Sequence, residues 1–551
     1  MNKKVCSFPI LFALFALLIG TCAVVFPASA QAAPTSTGSI TVSGTVASSY
    51  DAYQIFSANV VDGDSDAKIA TDLAWASDAA RDAVLPVLHS AGMPKSQTTA
   101  QEAAEWLNTD SHLTSALSAQ LARSLQNSGA ELAALNAGTE AKLPCGYWLI
   151  VADDDAIAQN EAGTAPIMAL VGGSAVTVKP KAATPKVAKH ALEDSTAAWQ
   201  KAADSTVGDD LYWRLSATVP AGLTAYDAYA VQFVDTMSAG LDPSRVAASM
   251  RVYVAAGADG GFGAVSAGKD GRAGTEPAKG WTDITAQCAT KVAADGTFTV
   301  RTGDLIAALG GADAFTAGAR VVAVYNAPLN SACNHGIAKG NPNEVYLRYP
   351  RSPFADQSGD AGFTRTPSDD ACAYTWDLAL TKRGSDGDKP LSGAVLSIAD
   401  DRGRTLAADG TWDAEGKATV TTGEDGRVTV SGVDSGKLEV RELKAPKGYT
   451  AFEGTRSVTV KAEGLDVDQV AAAKPKLTIT AESPLRADSA DGSTGSLEAS
   501  LINTPTKDSP RGDMPSTGDM AMYAAAAAAV AGAALIVVAL LVKRGGGSHK
   551  E

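Results

Sequence analysis

The chain has 551 residues, with 46 Lys and Arg against 61 Asp and Glu, for a formal net charge of −15. That length leaves room for about three domains of ordinary size between two terminal segments. The acidic balance, with no basic stripe to neutralise phosphates, excludes nucleic acid as a partner. Five His and six Cys lie scattered without metal-ligand spacing, so neither a metal nor a cofactor is expected.

Residues 1–33 read as a secretory signal peptide. Lys3-Lys4 precede an apolar stretch, and Ala28-Ser29-Ala30 supplies the small residues of a cleavage site, near Ala30 or Ala33. Cys6 and Cys22 leave with it. Cys145, Cys288, Cys333 and Cys372 then remain in an oxidising compartment, where four cysteines allow three pairings and spacing does not choose. With no Ser/His/Asp, Cys/His or metal constellation, the chain is not expected to be an enzyme.

The first region, residues 34–181, opens with strand-like alternation around Ile40 and Val42 and again at residues 53–56. Residues 67–135 are rich in Ala, Leu, Glu and Gln and predict two or three short helices. Residues 146–151 and 166–171 predict strands, so a β-sandwich with inserted helices is expected. Residues 62–66 hold three carboxylates, but Ala67 and Leu73 stand where a calcium loop needs Gly and Glu, which leaves a solvated turn.

The middle region, residues 182–367, predicts strands at 211–215, 228–235, 250–254, 320–325 and 343–349. The Gly/Ala/Asp-rich stretch 255–279 predicts a long surface loop. The third region, residues 372–506, alternates at 376–382, 394–398, 428–433, 437–443 and 497–503, with Gly and Asp at hairpin distances. This predicts an all-β immunoglobulin-type sandwich. The expected fold class is mostly β: three tandem immunoglobulin-like sandwiches, the first with inserted helices, followed by a C-terminal transmembrane helix.

Alternate residues of a strand share a face. Trp376, Leu378 and Leu380 therefore turn Lys382 toward the core. Leu438 and Val440 turn Glu442 the same way, and Leu497, Ala499 and Leu501 carry Asn503 inward. An unpaired buried charge is costly, so the three should meet. Burial disfavours both charged forms. A neutral Lys382 amine is a nucleophile, and a protonated Glu442 can polarise the Asn503 carboxamide and move protons. Loss of ammonia would leave an amide joining the first strand to the last; an ion pair beside an amide is the bland alternative. The same parity gives a second inward set in the middle region: Lys189 beside Val187, Asp235 beside Tyr229, Val231 and Phe233, and Asn343 beside Val345, Leu347 and Tyr349. Asn341 has the parity of Asn343, and Asn326 is also near, so parity leaves the partner open. The first region has no such set.

Leu380-Thr381-Lys382, the box of residues 442–449 (ELKAPKGY) and Ile502-Asn503-Thr504-Pro505 resemble the collagen-adhesin B-type domain. That resemblance implies an intramolecular Lys–Asn isopeptide bond assisted by Glu442. Residues 233–241, 324–330 and 340–349 resemble the middle domain of sortase-assembled backbone pilins of Gram-positive bacteria. There the resemblance implies a Lys189–Asn343 bond assisted by Asp235.

Val176 and Val178 share a core face, so Thr177, Lys179 and Lys181 face solvent, and Pro180 holds the chain extended. By itself Lys181 is an ordinary solvated charge. Val178-Lys179-Pro180-Lys181 resembles the pilin motif, with Lys179 in place of Tyr, and implies that Lys181 joins the next subunit; Lys179 and Lys186 are its rivals.

Residues 507–551 hold a spacer, then Met514-Pro515-Ser516-Thr517-Gly518, an apolar run at 520–542, Lys543-Arg544 and a polar tail. The run is long enough to cross a bilayer as a helix, with its basic end inside. The pentapeptide resembles the sortase sorting signal, with Met514 in place of Leu, and implies cleavage after Thr517. Arg511-Gly512-Asp513 in the spacer is read as a chance occurrence. The resemblances together imply a wall-anchored, extracellular pilus subunit. Its implied partners are a pilin-specific sortase, identical subunits, accessory pilins, peptidoglycan and a host surface ligand. A wall-anchored adhesin that does not polymerise is the alternative.

Overall fold

The computed structural model describes residues 36–506, apart from 64–66, 110, 111, 164, 181–183, 222, 258–261 and 263–278. The signal peptide, Lys181, most of the stretch 255–279, the sorting signal and the apolar run 520–542 lie outside the described residues. Among the described residues no helix is long and apolar enough to cross a membrane. The fold is mostly β, with three sandwiches following one another along the chain.

In the first sandwich, strand Thr37–Val42 pairs antiparallel with Ala141–Pro144 and parallel with Val176–Val178. The facing sheet is built on the long strand Ser49–Asp62, flanked by Lys68–Trp75, Leu132–Asn136 and Gly146–Ala152. Tyr50 and Ala52 point into the space between the sheets, where they meet Trp148 and Ile150. Tyr53, Ile55 and Phe56 point outward, yet they are buried too, because helices α1 (Asp78–Ser90), α2 (Ala100–Asn108) and α3 (Ser115–Gln126) cover that face. A strand covered on both faces reads as a nearly continuous apolar run. The helices begin at side-chain caps: Ser77 accepts from Ala80 N, Thr99 forms a reciprocal capping box with Glu102, and Thr114 accepts from Leu117 N. The three helices fall within the stretch 67–135, where two or three short ones are expected, and strands bound them on either side. Lys68–Trp75 and Leu132–Asn136 are strands, half-exposed at the sheet margin, where Ala-rich composition masks a weak alternation.

The middle sandwich packs a six-stranded sheet containing Val187–Glu193, Tyr212–Thr218 and Arg320–Asn326 against a second sheet containing Gln232–Met237 and Asn341–Pro350. Its core includes Trp213, Phe233, Phe298, Tyr325 and Tyr349. The strand expected at 228–235 starts later, at Gln232. Upstream, side chains hold the backbone donors: Tyr229 N donates to Asp304 and Val231 N to Thr302 Oγ1.

In the C-terminal sandwich the first strand, Trp376–Gly384, lies between Arg427–Val433 and the last strand, Ser496–Pro505. First and last strands run parallel, with Lys382 opposite Leu501 and Gly384 opposite Asn503. Gly436–Lys444 belongs to the facing sheet. The middle and C-terminal sandwiches share polar contacts. Asp209 receives Arg402 and Arg404, and Asp204 receives the Trp376 indole N–H at 2.6 Å.

Candidate functional site: two buried lysine clusters

Lys382, Glu442 and Asn503 are all buried and meet inside the C-terminal sandwich. Lys382 and Asn503 come from adjacent strands of one sheet, and Glu442 reaches them from the other. The Lys382 Nζ lies 3.4 Å from Glu442 Oε1 and 3.4 Å from the Leu501 carbonyl oxygen. The Asn503 amide nitrogen donates to both Glu442 oxygens, and Phe452 N donates to Oε2 at 3.1 Å. Asn503 Oδ1 has no partner. Burial pushes the Lys382 ammonium down to about 8, against the opposing pull of Glu442. One carboxylate thus touches both a readily deprotonated amine and the carboxamide nitrogen that would leave.

The middle sandwich buries Lys189, Asp235 and Asn343 completely. Lys189 contacts Asp235 directly, and the Tyr325 hydroxyl joins them: Lys189 Nζ donates to it at 2.9 Å, and it donates to Asp235 Oδ2 at 3.1 Å. Asn343 Nδ2 donates to the same hydroxyl at 2.8 Å. Burial pushes Lys189 down to about 8 and raises the Asp235 carboxyl, while the two groups oppose each shift by their attraction. The Lys189 ammonium also lies over the rings of Trp213 and Tyr325, at 5.6 and 5.5 Å. Of the three candidate asparagines, Asn343 is the one tied to this cluster. Asn341 is engaged by Asn334 and the Ala373 carbonyl, and Asn326 by Leu211 N and Asp210. Strand register explains the choice: Asn343 lies opposite Met237, diagonal to Asp235 on one sheet face.

Sequence parity found every member of these clusters except Tyr325. An aromatic residue on an apolar face looks like ordinary core, and only the partners of its hydroxyl set it apart.

Lys179, at the end of strand Val176–Val178, is exposed, as is Lys186. Cys145, Cys288, Cys333 and Cys372 are free thiols. Among the described residues no three His, Cys, Asp or Glu side chains are grouped to hold a metal ion.

Mostly β sandwiches in tandem, two of them with a buried lysine, acid and asparagine, define the class of protein. Residues 377–474 match the SpaA prealbumin-like fold domain. The chain is 30% identical over 143 residues to the trypsin-resistant surface T6 protein of Streptococcus pyogenes serotype M6, a match spanning 24% of each. The match therefore spans about a quarter of the length of that relative. Among solved structures, the T6 backbone pilin of the same organism shares 17% identity at a TM-score of 0.44, covering 85% of this chain and 98% of that one. The full-length major pilin SpaD from Corynebacterium diphtheriae shares 15% identity at 0.40, covering 86% and 98%.

Proposed function

We propose that the chain is the backbone subunit of a covalent surface pilus on a Gram-positive cell. In this reading domains 34–181, 182–367 and 372–506 form the shaft unit. Sortase cuts between Thr517 and Gly518 and joins Thr517 to Lys181 of an identical subunit, and the finished polymer is attached to peptidoglycan together with accessory pilins. Within each subunit Lys382 condenses with Asn503, and Lys189 with Asn343, each releasing one ammonia. The protein turns over no substrate of its own.

The observation that carries this reading is the pair of buried clusters. A lysine, an acid and an asparagine meet in two successive sandwiches, and in the C-terminal one the lysine and asparagine stand on the first and last strands. Burying two such sets is expensive as mere ion pairs, since desolvation offsets most of the attraction. It is economical if the charges disappear into an amide. The similarity to the surface T6 protein points the same way.

Boiled wall extracts should show a high-mass ladder that collapses to monomer in a Lys181→Ala strain. A ladder that survives moves the acceptor to Lys179 or Lys186. An unmodified strain without a ladder would overturn polymerisation in favour of a wall-anchored adhesin.

A further inference from the structure

The two clusters differ in how the acid reaches the asparagine. In the C-terminal sandwich Glu442 touches Lys382 and Asn503 directly. In the middle sandwich the acid is Asp235, one methylene shorter. It touches Lys189, while the hydrogen bond from the Asn343 amide nitrogen goes to Tyr325 instead. The Tyr325 hydroxyl is saturated by this arrangement. Its one proton goes to Asp235 Oδ2, and its two lone pairs accept from Lys189 Nζ and Asn343 Nδ2. It is fully buried, and its ring is fixed edge-on against Phe298 at 4.7 Å. Among the described residues it is the group that touches both nitrogens whose protons must change.

We infer that Tyr325 is a catalytic residue of the middle-domain condensation, passing a proton from the attacking lysine nitrogen to the departing asparagine nitrogen. The inference rests on the self-linking reading above. The reaction starts from the neutral pair, after the Lys189 ammonium has given one proton to Asp235. The Nζ lone pair bonds to Asn343 Cγ. The carbonyl electron pair moves to Oδ1, which takes the Asp235 proton. One Nζ proton passes to Tyr325 Oη as the phenol proton passes to Nδ2. The Cγ–Nδ2 bond then breaks, ammonia leaves, and the Oδ1 proton returns to Asp235. The amine has lost one hydrogen, the amide nitrogen has gained one, and Tyr325 and Asp235 end unchanged. Asp235 Oδ1 and Asn343 Oδ1 are both buried without a donor, as expected of two acceptors awaiting one shared proton.

The test follows the full chain made by cell-free synthesis, sampled with time, with tryptic peptides resolved by mass. The Lys382–Asn503 link serves as an internal control. Tyr325→Phe keeps the ring but removes the relay. It should slow the Lys189–Asn343 link by at least about tenfold, since a positioned proton-transfer group contributes about 10²–10⁴-fold, and leave the Lys382–Asn503 link unchanged. Adding Asp235→Glu to Tyr325→Phe gives the middle site the reach of its C-terminal counterpart and should restore much of the rate. A purely structural role predicts no such rescue. An unchanged middle-domain rate in Tyr325→Phe, or a slowed rate that Asp235→Glu does not rescue, overturns the relay alone. Absence of the Lys189–Asn343 peptide from the unmodified chain overturns the self-linking reading of that domain, and the relay with it.

Discussion

The Asn503 amide nitrogen donates to both oxygens of Glu442, at 2.9 and 3.0 Å, across the two sheets of the C-terminal sandwich. The same carboxylate stands 3.4 Å from Lys382 Nζ. Removing it strands an amine and an amide in an apolar core. Glu442→Ala should therefore abolish the Lys382–Asn503 link, so the peptide map retains two separate peptides. It should also cost about 3–5 kcal/mol of stability, the usual penalty for leaving one member of a buried pair uncompensated. Peptide mass mapping and denaturant unfolding check the two halves separately.

A chain that cannot link exposes the cost of burying Lys382. In Asn503→Ala the lysine keeps a folded-state value near 8 against 10.5 when unfolded. Between those values the unfolded chain binds more protons, so stability rises with pH across that window. The penalty is fully present below about pH 8 and relieved as pH approaches about 10.5. A gain of about 1–3 kcal/mol is expected over this range. Denaturant midpoints at several pH values should show the slope, and adding Lys382→Met should flatten it.

Asp209 accepts from Arg402 at 2.5 Å and from Arg404 at 2.6 Å, tying the middle sandwich to the C-terminal one. Asp209→Ala removes the acid that Arg402 and Arg404 share, leaving them only Asp194 and Asp400 respectively. The expected result is a looser joint at nearly unchanged stability of each sandwich, with about 1–3 kcal/mol lost from the coupling. Small-angle scattering should report a broader distribution of sizes, and protease should cut near the joint sooner.

Gly146 has φ +142°, and a Cβ there would fall 2.0 Å from the Phe56 carbonyl oxygen, where strand Ser49–Asp62 carries a bulge. That oxygen belongs to backbone in the middle of a sheet and has nowhere to move. Gly146→Ala should destabilise the first sandwich by roughly 2–4 kcal/mol while leaving both lysine clusters able to link. Thermal unfolding followed alongside peptide mapping separates the two effects.

Much of the site was legible because strand parity is a local property. Three residues of context on either side suffice to place Lys382 or Asn503 on a core face, and the folded chain keeps that assignment. Choosing among Asn341, Asn343 and Asn326 needed pairing register, which is set by residues a hundred positions away. Tyr325 was hidden for a different reason: its ring satisfies the apolar pattern, and its function lies in one oxygen. The strand Lys68–Trp75 was hidden in an Ala- and Leu-rich stretch, because its alternation runs only between half-buried and exposed positions.

The parallel pairing of Trp376–Gly384 with Ser496–Pro505 fixes how the C-terminal sandwich answers to tension. Where first and last strands are parallel, the chain enters and leaves at opposite ends of the pair. Pulling on the two termini then loads the whole ladder in shear, with its bonds strained together instead of opened one by one. An amide between Lys382 and Asn503 would carry that shear through a covalent bond near the exit end. Nearly everything between residues 383 and 502 would then lie off the line of force, free to hold its shape while the strand pair behaves as an inextensible rod.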